Sequence, residues 1–166
     1  RKIGMEFKYN DGGRSEYFKA KDVGDCVTRA IAIAMRKDYR EVYDELNRRS
    51  KADRSKRHGK GSSRDGVYKS VWKKYLKDAG WIYVPTCGFG SGAKKLRFVD
   101  GALPAKGRLI VQLSRHLTTL IDGVINDTYD CSRQQYTDWA TGDIVTNDER
   151  CVYGYWKEPV KENQDE

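Results

Sequence analysis

"HLTTLIDGVINDTY", residues 116 to 129, sets two runs of alternating character on either side of Asp122-Gly123. A two-residue Asp-Gly link between such runs predicts a type I′ hairpin, because that turn needs φ > 0 at both central residues. With the turn fixed, Thr119 falls opposite Asn126 and Thr118 opposite Asp127. Side chains alternate along a strand, so His116, Thr118 and Leu120 share one face; Asp127 joins that face and Asn126 points the other way. The register sets a carboxylate diagonally across from an imidazole, close enough to hold its tautomer.

Working outward, "WIYVP" (81–85), "KLRFV" (95–99), "RLIVQL" (108–113) and "RCVYGYW" (150–156) read as further strands bounded by Gly, Pro or Asp. Upstream of Trp81 the period is helical. Val27, Ala30, Ile31 and Ala34 follow the i, i+3, i+4, i+7 spacing of a buried face, and Asp25 is the expected N-cap, its carboxylate accepting a first-turn amide. A second helix is predicted from Asp38, with Asp38 and Glu41 as a capping-box pair and Val42 and Leu46 as its stripe. A third carries Val67, Val71, Tyr75 and Leu76 and stops at Gly80. Residues 1–20 read as irregular and short extended structure around "NDGG". Helices first and then a mostly antiparallel sheet predict an α+β fold. One domain is expected over residues 1–157, interrupted by a basic, Gly- and Ser-rich loop at about 48–66 and followed by a charged tail, 158–166.

The 166 residues suffice for one domain with a real core, and no stretch reaches the ~18 apolar residues of a membrane span, so no membrane partner is expected. Four cysteines, at 26, 87, 131 and 151, form no CxxC, and the two histidines, His58 and His116, lie in unlike contexts. That pattern predicts neither a metal site nor a disulfide scaffold, and a reduced, cytoplasmic protein. The net charge of +8 favours acidic partners.

Asp25 as the cap places Cys26 in the first turn of its helix, where the unpaired amides and the dipole favour a thiolate. A cysteine there is by itself more often a small packing residue. A nucleophile needs a base and the base an orienting partner. His58 lies in the basic loop; His116, with Asp127 beside it, is the ordered candidate.

Cysteine at a helix start, then histidine opening a hairpin, then Asn or Asp on the return strand, resembles the order of the papain-like cysteine peptidases. "NDTY" (126–129) is similar to the Asn-Ser-Trp stretch of papain-type enzymes, with Asp127, Thr128 and Tyr129 in those places. "GDCVTRAIAIA", "SRHLTTLIDGVINDTYDCS" and "RCVYGYW" are similar to small phage and bacterial papain-like proteins. The resemblance implies a papain-like fold, an N-terminal helical lobe carrying the nucleophile helix against the sheet. It implies Cys26 as nucleophile, His116 as general base and Asp127 as orienting acid. It further implies thioester chemistry on a protein or peptide of a bacterial host, with no cofactor. The glutamine that papain-type enzymes place before the nucleophile is missing from "KAKDVGD", where Asp22 would repel an oxyanion. Gln112 is the candidate substitute, if its strand continues to His116 and shares its face.

Other features carry a rival reading, an inactive papain-like shell that binds a host protein or nucleic acid. Lys51, Arg54, Lys56, Arg57, Lys60 and Arg64 are candidate phosphate or lid contacts in the basic loop, though such runs are more often solvated surface. Tyr68, Trp72 and Tyr75 suit a core or groove face better than a base-stacking platform. Cys87 has no evident base, Cys131 and Cys151 read as packing residues, and "GFGSGAKK" (88–95) lacks phosphate-loop spacing.

Overall fold

The apolar run that begins at Cys26 coils into helix α1 (Cys26–Met35), and every residue from Val27 to Ala34 is buried. A helix covered on all sides must be the centre of its domain. The computed structural model describes residues 5–19, 24–53, 66–87, 94–96, 103–147 and 150–160. Helix α2 (Tyr39–Asp53) packs Tyr39, Val42, Leu46 and Ser50 inward, and α3 (Lys69–Asp78) packs Val71, Trp72, Tyr75 and Leu76. Val67 precedes α3 as a half-buried neighbour of the core. Gly80 ends that helix in the left-handed region (φ +85°), where the Gly80 and Trp81 amides donate back to Lys77 and Leu76. Asp38 stands just before α2, but its carboxylate accepts the Tyr17 hydroxyl at 2.6 Å.

Helix α2 runs five residues past the expected start of the basic loop at 48, to Asp53. The physical reason lies in the charges: Arg48 and Arg49 both donate to Glu45 one turn back, and Arg49 reaches Asp78 of α3 at 2.8 Å. Arg54, Lys56, Arg57, His58, Lys60 and Arg64 lie outside the described residues.

The sheet contains β1 (Phe7–Tyr9), β2 (Ile82–Pro85), β3 (Lys94–Lys95), β4 (Arg108–Leu113), β5 (His116–Ile121), β6 (Val124–Asp127) and β9 (Cys151–Lys157). Its order is β1-β6-β5-β4-β9-β2, with β3 also pairing along β9; β1 lies parallel to β6 and every other pairing is antiparallel. The α+β expectation therefore holds. Thr119 pairs with Asn126, Leu120 with Ile125 and Ile121 with Val124, and Asp122 and Gly123 both have positive φ, as the type I′ reading requires. A separate ribbon of β7 (Gln134–Thr137) and β8 (Ile144–Asn147) was not foreseen, because "QQYT" has no apolar alternation to announce it. Only Lys94 and Lys95 are paired near the expected strand at 95–99, whose residues 97–99 lie outside the described residues.

Strand alternation sorts the core in two. Ile110, Leu117 and Trp156 face the helices, and Leu109, Val111, Leu113, Leu120 and Ile125 build a second cluster on the other face. Thr119, which also faces the helices, donates its hydroxyl to the Ala30 carbonyl of α1 at 2.7 Å, fixing the helix against the hairpin. Ile31, fully buried at the middle of α1, tests that arrangement. Ile31→Ala should cost about 2–5 kcal/mol in urea unfolding; a loss below about 1 kcal/mol would remove α1 from the centre of the core.

Candidate active site

A tight turn at Ser114-Arg115, with Arg115 at φ +53°, starts β5 at His116 and pairs it with Leu113. From that position the imidazole Nε2 meets the Asp127 carboxylate Oδ2 at 2.7 Å, both groups buried. The other carboxylate oxygen accepts the Thr128 amide at 2.7 Å and the Arg29 guanidinium at 3.3 Å. The Asp127 main chain is fixed as well, its carbonyl accepting the Asn10 amide at 2.8 Å beyond the end of β1. Tyr129 lies 5.2 Å from the His116 ring, centroid to centroid, and covers the imidazole.

Cys26 brings its thiol to the same imidazole from the first turn of α1. Burial by itself would raise the thiol pKa. The hydrogen bond from His116, its positive charge, the Leu117 amide and the Arg29 guanidinium outweigh burial, and the pKa falls below the ordinary thiol value. Burial would likewise lower His116. Hydrogen bonds to Asp127, Cys131 and Cys26, with the charge of Asp127, overcome it and hold the imidazole well above its usual value. The Asp127 carboxyl, opposed by burial, is held low chiefly by His116 and further by Thr118 and Arg29. The two opposite shifts both favour the ion pair, a thiolate beside an imidazolium, over the neutral pair.

Asp25 departs from expectation. It precedes α1, but its side chain makes no cap bond there. The carboxylate instead accepts Arg14 at 3.1 Å, the Tyr39 hydroxyl at 2.6 Å and Arg29. Two buried guanidinium groups have a stronger claim on a carboxylate than a backbone amide does. Arg29 thus bridges Asp25 and Asp127, joining the helix start to the imidazole's partner. Arg14, Arg29 and Tyr39 were missed by the sequence reading. Arg29 alone left a signal, as a cation inside an apolar run four residues after Asp25.

Gln112 also differs from expectation. The chain turns after Leu113, so Gln112 pairs with Leu117 and alternation puts it on the opposite strand face to His116. Nevertheless Gln112, Cys26 and His116 line one cleft of about 310 Å³, because the cleft lies at the hairpin's turn. Among the described residues the buried Gln112 Oε1 has no hydrogen-bond partner. Asp22 lies outside the described residues. No disulfide joins the four cysteines, and Cys131, fully buried, is a neighbour of His116 as well as a packing residue.

Among the described residues, His116, Asp127 and Cys131 are the group whose donor atoms converge as a metal ligand set would, within 4.8 Å of one another. In this arrangement the Asp127 oxygens accept from His116, Arg29 and Thr128. No helix among the described residues is long and apolar enough to cross a membrane. No family model, curated protein or solved structure matches this chain.

Two outcomes test the geometry. Iodoacetamide should alkylate Cys26 faster than Cys87 or Cys151 at pH 6.5, since its pKa is lowered and the thiolate persists below the free-thiol value. The rate should fall only as pH drops through that lowered pKa. His116→Ala removes the hydrogen bond and charge while burial remains, so the pKa should rise and the pH 6.5 rate fall about tenfold or more. Mass spectrometry of each cysteine reads both, and equal labelling of the three thiols contradicts the arrangement. Arg29→Met should destabilise by about 3–5 kcal/mol in chemical denaturation, because two buried carboxylates lose a partner.

Proposed function

We propose that this protein is a cysteine-nucleophile hydrolase, acting on peptide, isopeptide or simple amide bonds through Cys26, His116 and Asp127, on a papain-like scaffold. The observation that carries this reading is the 2.7 Å His116–Asp127 hydrogen bond with the Cys26 thiol, its pKa lowered, on the same imidazole. A helix start, a hairpin and a return strand supply the three groups, matching the order that the resemblance implies.

In this reading the Cys26 thiolate attacks the substrate carbonyl and the carbonyl π electrons move onto oxygen. The Cys26 backbone N–H, at the positive end of α1, donates to that oxyanion, and the Gln112 carboxamide N–H supplies the second donor from across the cleft. The His116 imidazolium passes its proton to the leaving amine as the C–N bond breaks, leaving a thioester on Cys26. Water then attacks the thioester, giving its proton to the now neutral imidazole. Expulsion of the thiolate releases the acid and restores the ion pair. Asp127 keeps Nε2–H pointed at itself through both steps, so the other ring nitrogen serves the thiol and the leaving group.

The test is turnover of peptide, isopeptide and amide pools, read by mass spectrometry. Cys26→Ala should abolish it, and Asp127→Asn should lower kcat by about 10²–10⁴ while Cys26 stays in place. Activity that survives Cys26→Ala contradicts the proposal. So does the absence of turnover on all three pools by protein whose Cys26 alkylates rapidly; that result favours the binding-shell reading.

A further inference from the structure

The cleft beside Cys26 has a composition that says more than its position. Its walls include the buried Trp72, Leu113 and Leu117, with Val27 and the half-buried Val67. Its rim carries two exposed cations, Lys69 and Arg115. Among the described residues that line it, none is acidic.

The backbone adds to the positive field. Helices α1 and α3 both begin at this cleft, neither has an acidic residue in its first turn, and neither start has a side-chain cap. Asp25, paired with Arg14 and Arg29, and the Cys26 thiol offset part of the α1 dipole, while the α3 start acts on the cleft with no acidic residue in its first turn. A buried side chain points to a ligand independently of charge. Gln112 is 7% exposed, and among the described residues its carboxamide oxygen has no partner. A backbone N–H of a bound chain is the group that would satisfy it.

From these features we infer that the cleft selects an acidic peptide segment, one whose acyl-side residue is apolar and whose neighbour carries a carboxylate. This rests on the acyl-transfer reading above and names the substrate class for it. The apolar side chain lies among Val27, Trp72, Leu113 and Leu117, and the volume of about 310 Å³ suits one side chain with its flanking backbone. The carboxylate lies against Lys69 and Arg115. A lysine or arginine in the same place meets two like charges and two helix starts, and is rejected.

The experiment uses three peptidyl chloromethyl ketones that share a leucine at the acyl position and differ in the next residue: Glu, Gln or Lys. Wild-type protein should alkylate at Cys26 in the order Glu > Gln > Lys, with a Glu-to-Lys rate ratio of about tenfold at low salt that shrinks at high salt. Lys69→Glu and Arg115→Glu should each reduce that ratio, and the double variant should invert it. The ratio within one protein cancels any change in thiol reactivity. Calorimetry of the matching unreactive peptide amides with the Cys26→Ala variant gives the same order without chemistry at Cys26. Failure of the acyl-transfer reading, seen as slow iodoacetamide labelling of Cys26, is thus told apart from failure of this one. A Glu-to-Lys ratio near one, a preference for Lys, a ratio unmoved by both charge reversals, or equal binding of the three amides overturns the inference.

Discussion

Arg29 is a guanidinium in the middle of the core, 5% exposed and held between two carboxylates. A cation so placed is tolerated only when it is paired and hydrogen-bonded, and that constraint organises what surrounds it. One partner, Asp25, precedes α1; the other, Asp127, ends β6. The helix start and the return strand of the hairpin are therefore bound through one side chain. His116 then has a carboxylate fixed in position, and Cys26 a cation fixed beside it. Arg14 and Tyr39 complete the set by satisfying Asp25 from the chain's beginning and from α2.

The charge balance favours joint ionisation of the thiol and the imidazole. With the proton on His116, Arg14, Arg29 and the imidazolium would face Asp25, Asp127 and the thiolate, three charges of each sign, in a largely buried cluster. Moving the proton from Cys26 to His116 leaves the net charge unchanged but gives Asp127 a full cation to bind. Burial opposes that transfer at each group, and the paired hydrogen bonds exceed it. The lowered thiol pKa is thus a property of the network, and no single residue in it accounts for the shift.

Much of this was legible in the sequence where local rules act. The Asp122-Gly123 turn dictated its register, and the register dictated that Asp127 meets His116. The helical spacing of Val27, Ala30, Ile31 and Ala34 placed α1, and with it Cys26. Long-range choices were not legible. Asp25 had two uses open to it, an amide nearby or guanidinium groups from elsewhere, and only the folded chain brings Arg14 within reach. Gln112 would share the His116 face only if its strand continued; the turn at Ser114-Arg115, which carries no glycine to announce it, ends that strand, yet Gln112 reaches the same cleft by lying at the hairpin's end. Cys131 follows the return strand with no motif around it, and its approach to His116 is purely tertiary.

The central claim is the protonation state of His116, and ¹⁵N NMR of its ring reads that directly. At pH 7 both ring nitrogens should carry protons, with Nε2–H in a strong hydrogen bond to Asp127, and Cys26→Ser should return the ring toward an ordinary titration because the thiolate is gone. A single neutral tautomer at pH 7, titrating near the ordinary histidine value of about 6.5 and indifferent to the loss of the thiol, would contradict the account.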